Sequence, residues 1–212
     1  MQYEDNQEEN HTDWAIRWTN SIDIWDIGLS HFSGTGRDPL LLPTVDSNGN
    51  QVLAPFYEQI DQTGLDVQAT IDEWLLKVEI ISRNGIGDRY TASTAGFEYT
   101  IVGLFESQHD LGLLAEYLYD ERGRNAPTFF EDDLFLGARW VWNDVDSTEL
   151  LAGVIQDSNS SERIFRIEGS RRVGQDLKLS IDAQVFSNIP ATSRFAGFDQ
   201  EDFIQVELAW YF

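Results

Sequence analysis

The last nine residues constrain this chain most: Ile204-Gln205-Val206-Glu207-Leu208-Ala209-Trp210-Tyr211-Phe212. Counting back from the end, every second side chain is large and apolar: Phe212, Trp210, Leu208, Val206, Ile204. The intervening set is Tyr211, Ala209, Glu207 and Gln205. Period two marks a strand whose two faces meet different surroundings. A strand this apolar on one face normally ends inside a domain, but this one runs to the final residue.

The same alternation recurs along the chain. It predicts about eleven strands, at roughly 13–19, 21–32, 57–71, 74–83, 89–105, 110–120, 133–143, 148–157, 162–171, 177–186 and 202–212. Clusters of Gly, Pro, Asn, Asp and Ser separate them, which is turn chemistry. No segment keeps a helical period, and no apolar run reaches the roughly 18 residues of a membrane helix. The fold class expected is all-β, an antiparallel up-and-down meander in one domain over residues 1–212.

The connections sort by length. Backward from Phe212 they are 187–201, 172–176, 158–161, 144–147, 121–132, 106–109, 84–88, 72–73, 33–56 and a tight turn at Asn20. The long ones all fall at one end of the strands. All five prolines, Pro39, Pro43, Pro55, Pro127 and Pro190, are expected in those long loops, where no ladder hydrogen bond is lost. Trp18, Trp25, Trp74, Trp140, Trp142 and Trp210 lie near the opposite, short-turn end, with Trp14 alone on the long-loop side.

These features resemble a bacterial outer-membrane β-barrel. Such barrels have short periplasmic turns, longer extracellular loops and aromatic girdles. The stretch Gly112-Leu113-Leu114-Ala115-Glu116-Tyr117-Leu118-Tyr119-Asp120-Glu121-Arg122-Gly123 is similar to the later half of porin-like proteobacterial outer-membrane proteins. The resemblance implies an outer-membrane location, with lipid and lipopolysaccharide as neighbours. It also implies that the assembly machinery reads the terminal strand, and that Trp18, Trp74, Trp140, Trp142, Trp210 and Phe212 form the membrane-interface and assembly signal. The competing reading of the terminal strand is the last strand of a soluble sandwich.

The faces follow from the alternation. Outward sets are Leu65/Val67/Ala69/Ile71, Trp74/Leu76/Val78/Ile80, Phe97/Tyr99/Ile101, Leu111/Leu113/Ala115/Tyr117, Leu134/Leu136/Ala138/Trp140 and Leu177/Leu179/Ile181/Ala183/Val185. The inward set carries Lys77, Glu79, Glu98, Glu116, Arg139, Arg166, Glu168, Lys178, Asp182 and Glu207, with Asp66, Gln68 and Arg83 beside them. A Lys or Arg on the lipid face near the midplane costs about 2–4 kcal/mol, so mid-strand charges fix the phase of each strand. Strand 148–157 is the exception. Both of its phases are apolar, and only Glu149 breaks the tie.

Eleven strands leave an odd count, whereas bacterial single-chain barrels have an even one. An open edge is also not viable in lipid. The expectation is therefore that the chain is the carboxy-terminal part of a longer barrel, with residues 1–12 an acidic tail or loop. Gln2 to Asn10 is acidic, not the basic-then-apolar pattern of a signal peptide. The formal net charge of −23 argues against nucleic acid as a partner. A mean hydropathy of −0.34 is compatible with a barrel, because roughly half of each strand faces water. The lack of Cys fits an oxidising envelope only weakly.

Little else in the sequence carries chemistry. His11, His31 and His109 have no Cys or His partner at ligand spacing, so no metal and no cofactor is expected. His31 near Ser30 and Asp38 is the one hydrolase-like grouping, and a plain strand end explains it. Gly34-Thr35-Gly36-Arg37-Asp38-Pro39 is a turn without the Lys of a phosphate loop. Asp46-Ser47-Asn48-Gly49-Asn50 resembles a calcium loop in part, and Glu131-Asp132-Asp133 is acidic enough to meet divalent ions at lipopolysaccharide. The expected function is a porin-like channel for small polar solutes or ions, lined by the inward set. The alternative is a non-conducting surface protein whose long loops bind an external partner. A barrel enzyme ranks last.

Overall fold

The computed structural model describes residues 2–6, 10–85 and 87–212. Met1, residues 7–9 of the expected tail and Ile86 of the expected 84–88 connection lie outside the described residues. The strands in chain order are β1 (Gln2–Tyr3), β2 (Trp14–Ile22), β3 (Trp25–Thr35), β4 (Leu40–Val45), β5 (Gln51–Tyr57), β6 (Gln59–Ile71) and β7 (Trp74–Asn84). They continue with β8 (Tyr90–Ile101), β9 (Asp110–Asp120), β10 (Asp132–Val141), β11 (Glu149–Asp157), β12 (Arg163–Val173), β13 (Leu177–Ser187) and β14 (Phe203–Trp210).

Eleven of these form one antiparallel meander in the order β14-β13-β12-β11-β10-β9-β8-β7-β6-β3-β2. They are the eleven strands that alternation predicts. The outermost strands, β2 and β14, do not pair with each other, so the sheet is not closed. The chain divides into two compact units, Met1–Val67 with Glu79–Ala92, and Gln68–Val78 with Ser93–Phe212. Each is described by itself below.

The first unit holds two departures from expectation. The turn after β2 is not at Asn20. Strand pairing runs on to Ile22↔Trp25, and Asp23 takes the left-handed conformation with φ 54°. The turn after β6 has the same grammar: Ile71-Asp72-Glu73-Trp74 matches Ile22-Asp23-Ile24-Trp25, and Asp72 has φ 50°. A two-residue hairpin needs positive φ, and Asp tolerates it better than β-branched residues do. Secondly, the segment expected as a long loop carries β4 and β5, and β1 adds to β5 in parallel. Pro43 and Pro55 therefore lie in strands. Pro43 is on the edge strand β4, and Pro55 precedes the first β1–β5 pair, Gln2↔Phe56, so the missing N–H of each falls at an edge or an open flank.

In the second unit the register fixes the faces, because residues directly opposite each other share one face. Trp140 lies opposite Leu150 and Leu111, Leu136 opposite Val154 and Ala115, and Ile181 opposite Val206 and Gly169. The even phase of β10, β11 and β14 thus shares a face with the odd phase of β9, β12 and β13. This settles β11: Leu150, Ala152 and Val154 join the apolar face, as Glu149 indicates. Charged residues on that face, Asp132, Arg163 and Arg171, stay within two residues of strand ends.

The apolar face is not covered. Leu136 is 47% exposed, Val206 65% and Leu208 61%. A sandwich would bury this set against a second layer. Apart from Ala69, near the short turn after β6, the few buried side chains of this unit, among them Ala126, Asp120, Asp133, Glu162, Ile164 and Phe186, lie instead at the long-loop end. β8 stops at Ile101 rather than 105, where the chain enters a tight turn over Leu104–Glu106 with left-handed Gly103 (φ 67°), Phe105 (φ 56°) and Glu106 (φ 59°). The longest helical segment among the described residues is the five-residue turn Arg194–Phe198.

Candidate functional site

All ten expected inward residues fall on the polar phase of their strands. In the second unit, Glu98 reaches Arg139, Glu116 lies opposite Phe135, and Lys178, Asp182 and Glu207 lie opposite Ala209, Gln205 and Ser180. Arg166 and Glu168 share this phase through Gln184 and Asp182. Trp74 packs on Phe97 and Tyr99 at 5.2 and 4.7 Å, which puts Lys77 on the phase of Glu98. In the first unit, Ile81 lies beside Gly64, whose carbonyl accepts from Ser30, so Glu79 shares the phase of Asp66.

The charges divide into tethered and free. Arg139 donates through Nη1 to both Glu98 oxygens at 3.2 Å, and Arg166 sits 2.6 Å from Glu168 and 3.4 Å from Asp182. In the first unit, Arg17 donates to both oxygens of Asp66 at 2.8 and 3.0 Å, and Arg83 meets Glu58 at 3.1 Å. Among the described residues, Lys77, Glu79, Glu116, Lys178 and Glu207 make no ion pair within 4.0 Å. A shallow hollow of about 380 Å3 runs along Arg139, Glu149, Arg166, Glu168, Ser170 and Asp182.

Two of the pairs depend on a glycine. Arg139 on β10 and Glu98 on β8 join hands across β9, where Gly112 stands opposite Arg139. A Cβ at Gly112 would lie 2.5 Å from Glu98 Oε1. Arg17 on β2 and Asp66 on β6 do the same across Gly28 of β3, where a Cβ would lie 2.2 Å from Asp66 Oδ2. Gly leaves the open lane that a bridge over an intervening strand requires. The sequence shows the charges and the glycines, but not that they meet, because non-adjacent strands are not legible in it.

The aromatic rim is partly a packed structure. Trp140 and Trp142 stack at 5.0 Å with 11° between their planes, and His109 lies against both. Trp25 and Trp74 each open a strand directly after a tight turn, and Trp210 closes β14 with its ring 5.5 Å from Phe212. Trp18 is less terminal, lying opposite Leu29 in mid-ladder. The indole N–H of Trp140 is buried and has no partner among the described residues.

The other motifs resolve into local structure. His31 does not face Ser30 or Asp38. Its Nδ1 lies 3.0 Å from Thr63 Oγ1 and its Nε2 3.3 Å from Asp61, while Ser30 sits on the opposite phase and bonds Gly64. Asp46 closes its own turn by accepting from the backbone N–H and side-chain amide of Asn50 and from the backbone N–H of Asn48, which hold its carboxyl below the ordinary carboxylate range. Asp132 is engaged by the Tyr117 hydroxyl and by Asn159, and Asp133 accepts from the Asp132 backbone. Asp144, in the 142–148 turn, accepts from the Thr148 N–H and hydroxyl and is likewise lowered. Among the described residues, no three His, Asp or Glu side chains gather as metal ligands.

The phenylalanines of the long loops carry no signal in an alternation reading, yet they assemble. Phe195 contacts Phe129, Phe130 and Phe186 at 4.9, 5.7 and 5.8 Å, and Phe198 lies against the same group. Comparison with known protein families, characterised proteins and solved structures finds no match to this chain.

Proposed function

We propose that this chain forms wall of an outer-membrane β-barrel whose polar face lines a passage for small polar solutes or ions. The observation that carries the reading is the uncovered apolar face of the second unit, set against an ion-paired polar face on the same strands. In water, apolar area left exposed forgoes about 25 cal/mol per Å2, so a face this wide calls for a cover. Hydrocarbon is the cover that suits a meander whose mid-strand charges all take one phase. The tethered charges lie along the sheet, and the free ones, Lys77, Glu79, Glu116, Lys178 and Glu207, are left to act on a passing ion.

The test is conductance of the reconstituted protein in a planar bilayer, with the reversal potential in a salt gradient. Discrete channels with an ion preference support the reading. A second reading, a non-conducting surface protein, is favoured by one observation: two of the long loops, 121–131 and 188–202, are packed against each other rather than extended. Intact protein that inserts and never conducts would favour it.

A further inference from the structure

Five of the buried side chains of the second unit, Asp120, Asp133, Glu162, Ile164 and Phe186, lie together at the long-loop end of the sheet. Phe186 stands on the polar face, because it lies opposite Ile164 and alternates with Gln184 and Asp182. It is 9% exposed and Ile164 is 6% exposed. The helical turn Arg194–Phe198 lies against Phe186, its Phe195 and Phe198 rings 5.8 and 6.2 Å away. The segment between β13 and β14 therefore folds back over the polar face. The segment between β9 and β10 meets it there: Phe129 and Phe130 pack on Phe195, and Arg194 donates to the Arg124 carbonyl at 3.1 Å. Between the two loops in the strand order lie four strands, β10 to β13, so this is a bridge and not a local turn. Beneath it, Ser193 caps the helical turn by accepting from the Phe195 N–H.

We propose that residues 121–131 and 188–202 are locked by the Phe195 hub into one cap over the polar face, and that this cap sets the upper size of solute that passes. The second clause rests on the channel reading. The first stands without it. Aromatic contacts stabilise beyond the area they bury, and Phe195 makes several, so its ring ties the loops into one cooperative unit.

The experiment compares the full chain in lipid vesicles with Phe195→Ala and Phe195→Leu. Hydrogen exchange reads the loops, and uptake of neutral oligosaccharides of graded size reads the aperture. In Phe195→Ala, exchange in both loops should rise together by about tenfold, with β10 to β13 unchanged as the check on folding. Uptake of the largest excluded sugar should rise about fivefold or more, and Phe195→Leu should restore most of both effects. Loosening of one loop without the other overturns the cap. Joint loosening with an unchanged size limit overturns its role in passage and leaves the channel reading standing. No uptake by wild type or variant overturns the channel reading and the size limit with it, while the exchange result still decides the cap.

Discussion

Arg139 and Glu98 meet across an intervening strand, the guanidinium donating to both carboxylate oxygens at 3.2 Å over the bare backbone of Gly112. The pair ties β10 to β8 without a direct ladder between them. Gly112→Val would place side-chain atoms where the carboxylate now lies. The expected result is loss of the bridge and a destabilisation of about 1 kcal/mol, at the upper end for a partly exposed pair plus the clash. Urea unfolding of the reconstituted protein measures it. The companion variant Glu98→Gln should remove most of the effect of a second Arg139→Gln substitution, since the two act as one unit.

Charge reversal addresses the proposed passage. Arg139→Glu with Arg166→Glu removes two cations from the polar face and adds two anions. The reversal potential should move toward cation preference. Leu136→Ala, on the uncovered apolar face, should leave selectivity unchanged. Channels that open with an unmoved reversal potential after the double reversal would show that these arginines do not line the path.

The 142–148 turn has its own pH dependence. Hydrogen bonds from Thr148 hold the Asp144 carboxyl below its ordinary value of 3.8. A depressed folded-state value means that the turn is stabilised above the ordinary carboxylate range. That stabilisation is lost as pH falls through the lower, folded value. Exchange at the Thr148 amide should therefore accelerate beyond its intrinsic pH trend only in acid below the ordinary value. Asp144→Asn should abolish that transition.

Placing a cation in each phase separates the two faces by stability. Leu136→Arg should cost about 2–4 kcal/mol in lipid, whereas Glu116→Arg, on the polar face of the neighbouring strand, should cost far less. Equal penalties would mean that the faces are not in different solvents.

How much of this was legible in the sequence depends on the range of the interaction. Alternation located all eleven strands of the meander, and even the ambiguous β11, because period two is a local property and Glu149 sits at one end of it. The turn at Asp23 is not legible because Asn20-Ser21 has turn chemistry of its own, and the ladder simply continues through it. β4 and β5 were hidden by their prolines, which argue against strand interiors but not against edges. The bridges over Gly28 and Gly112, the Thr63–His31–Asp61 contacts and the Phe195 hub depend on segments far apart in sequence, and no periodicity records which of them meet.

The central claim is that the even phase of β10 meets hydrocarbon and the odd phase meets water. The chain has no Cys, so single cysteines can be placed at Leu134, Phe135, Leu136, Ala138 and Arg139 without background. Each is labelled with an environment-sensitive fluorophore in vesicles and quenched in turn by nitroxide-bearing lipid and by aqueous iodide. The account predicts lipid quenching at 134, 136 and 138 and iodide quenching at 135 and 139. Quenching that does not alternate, or that alternates with the opposite phase, would contradict it.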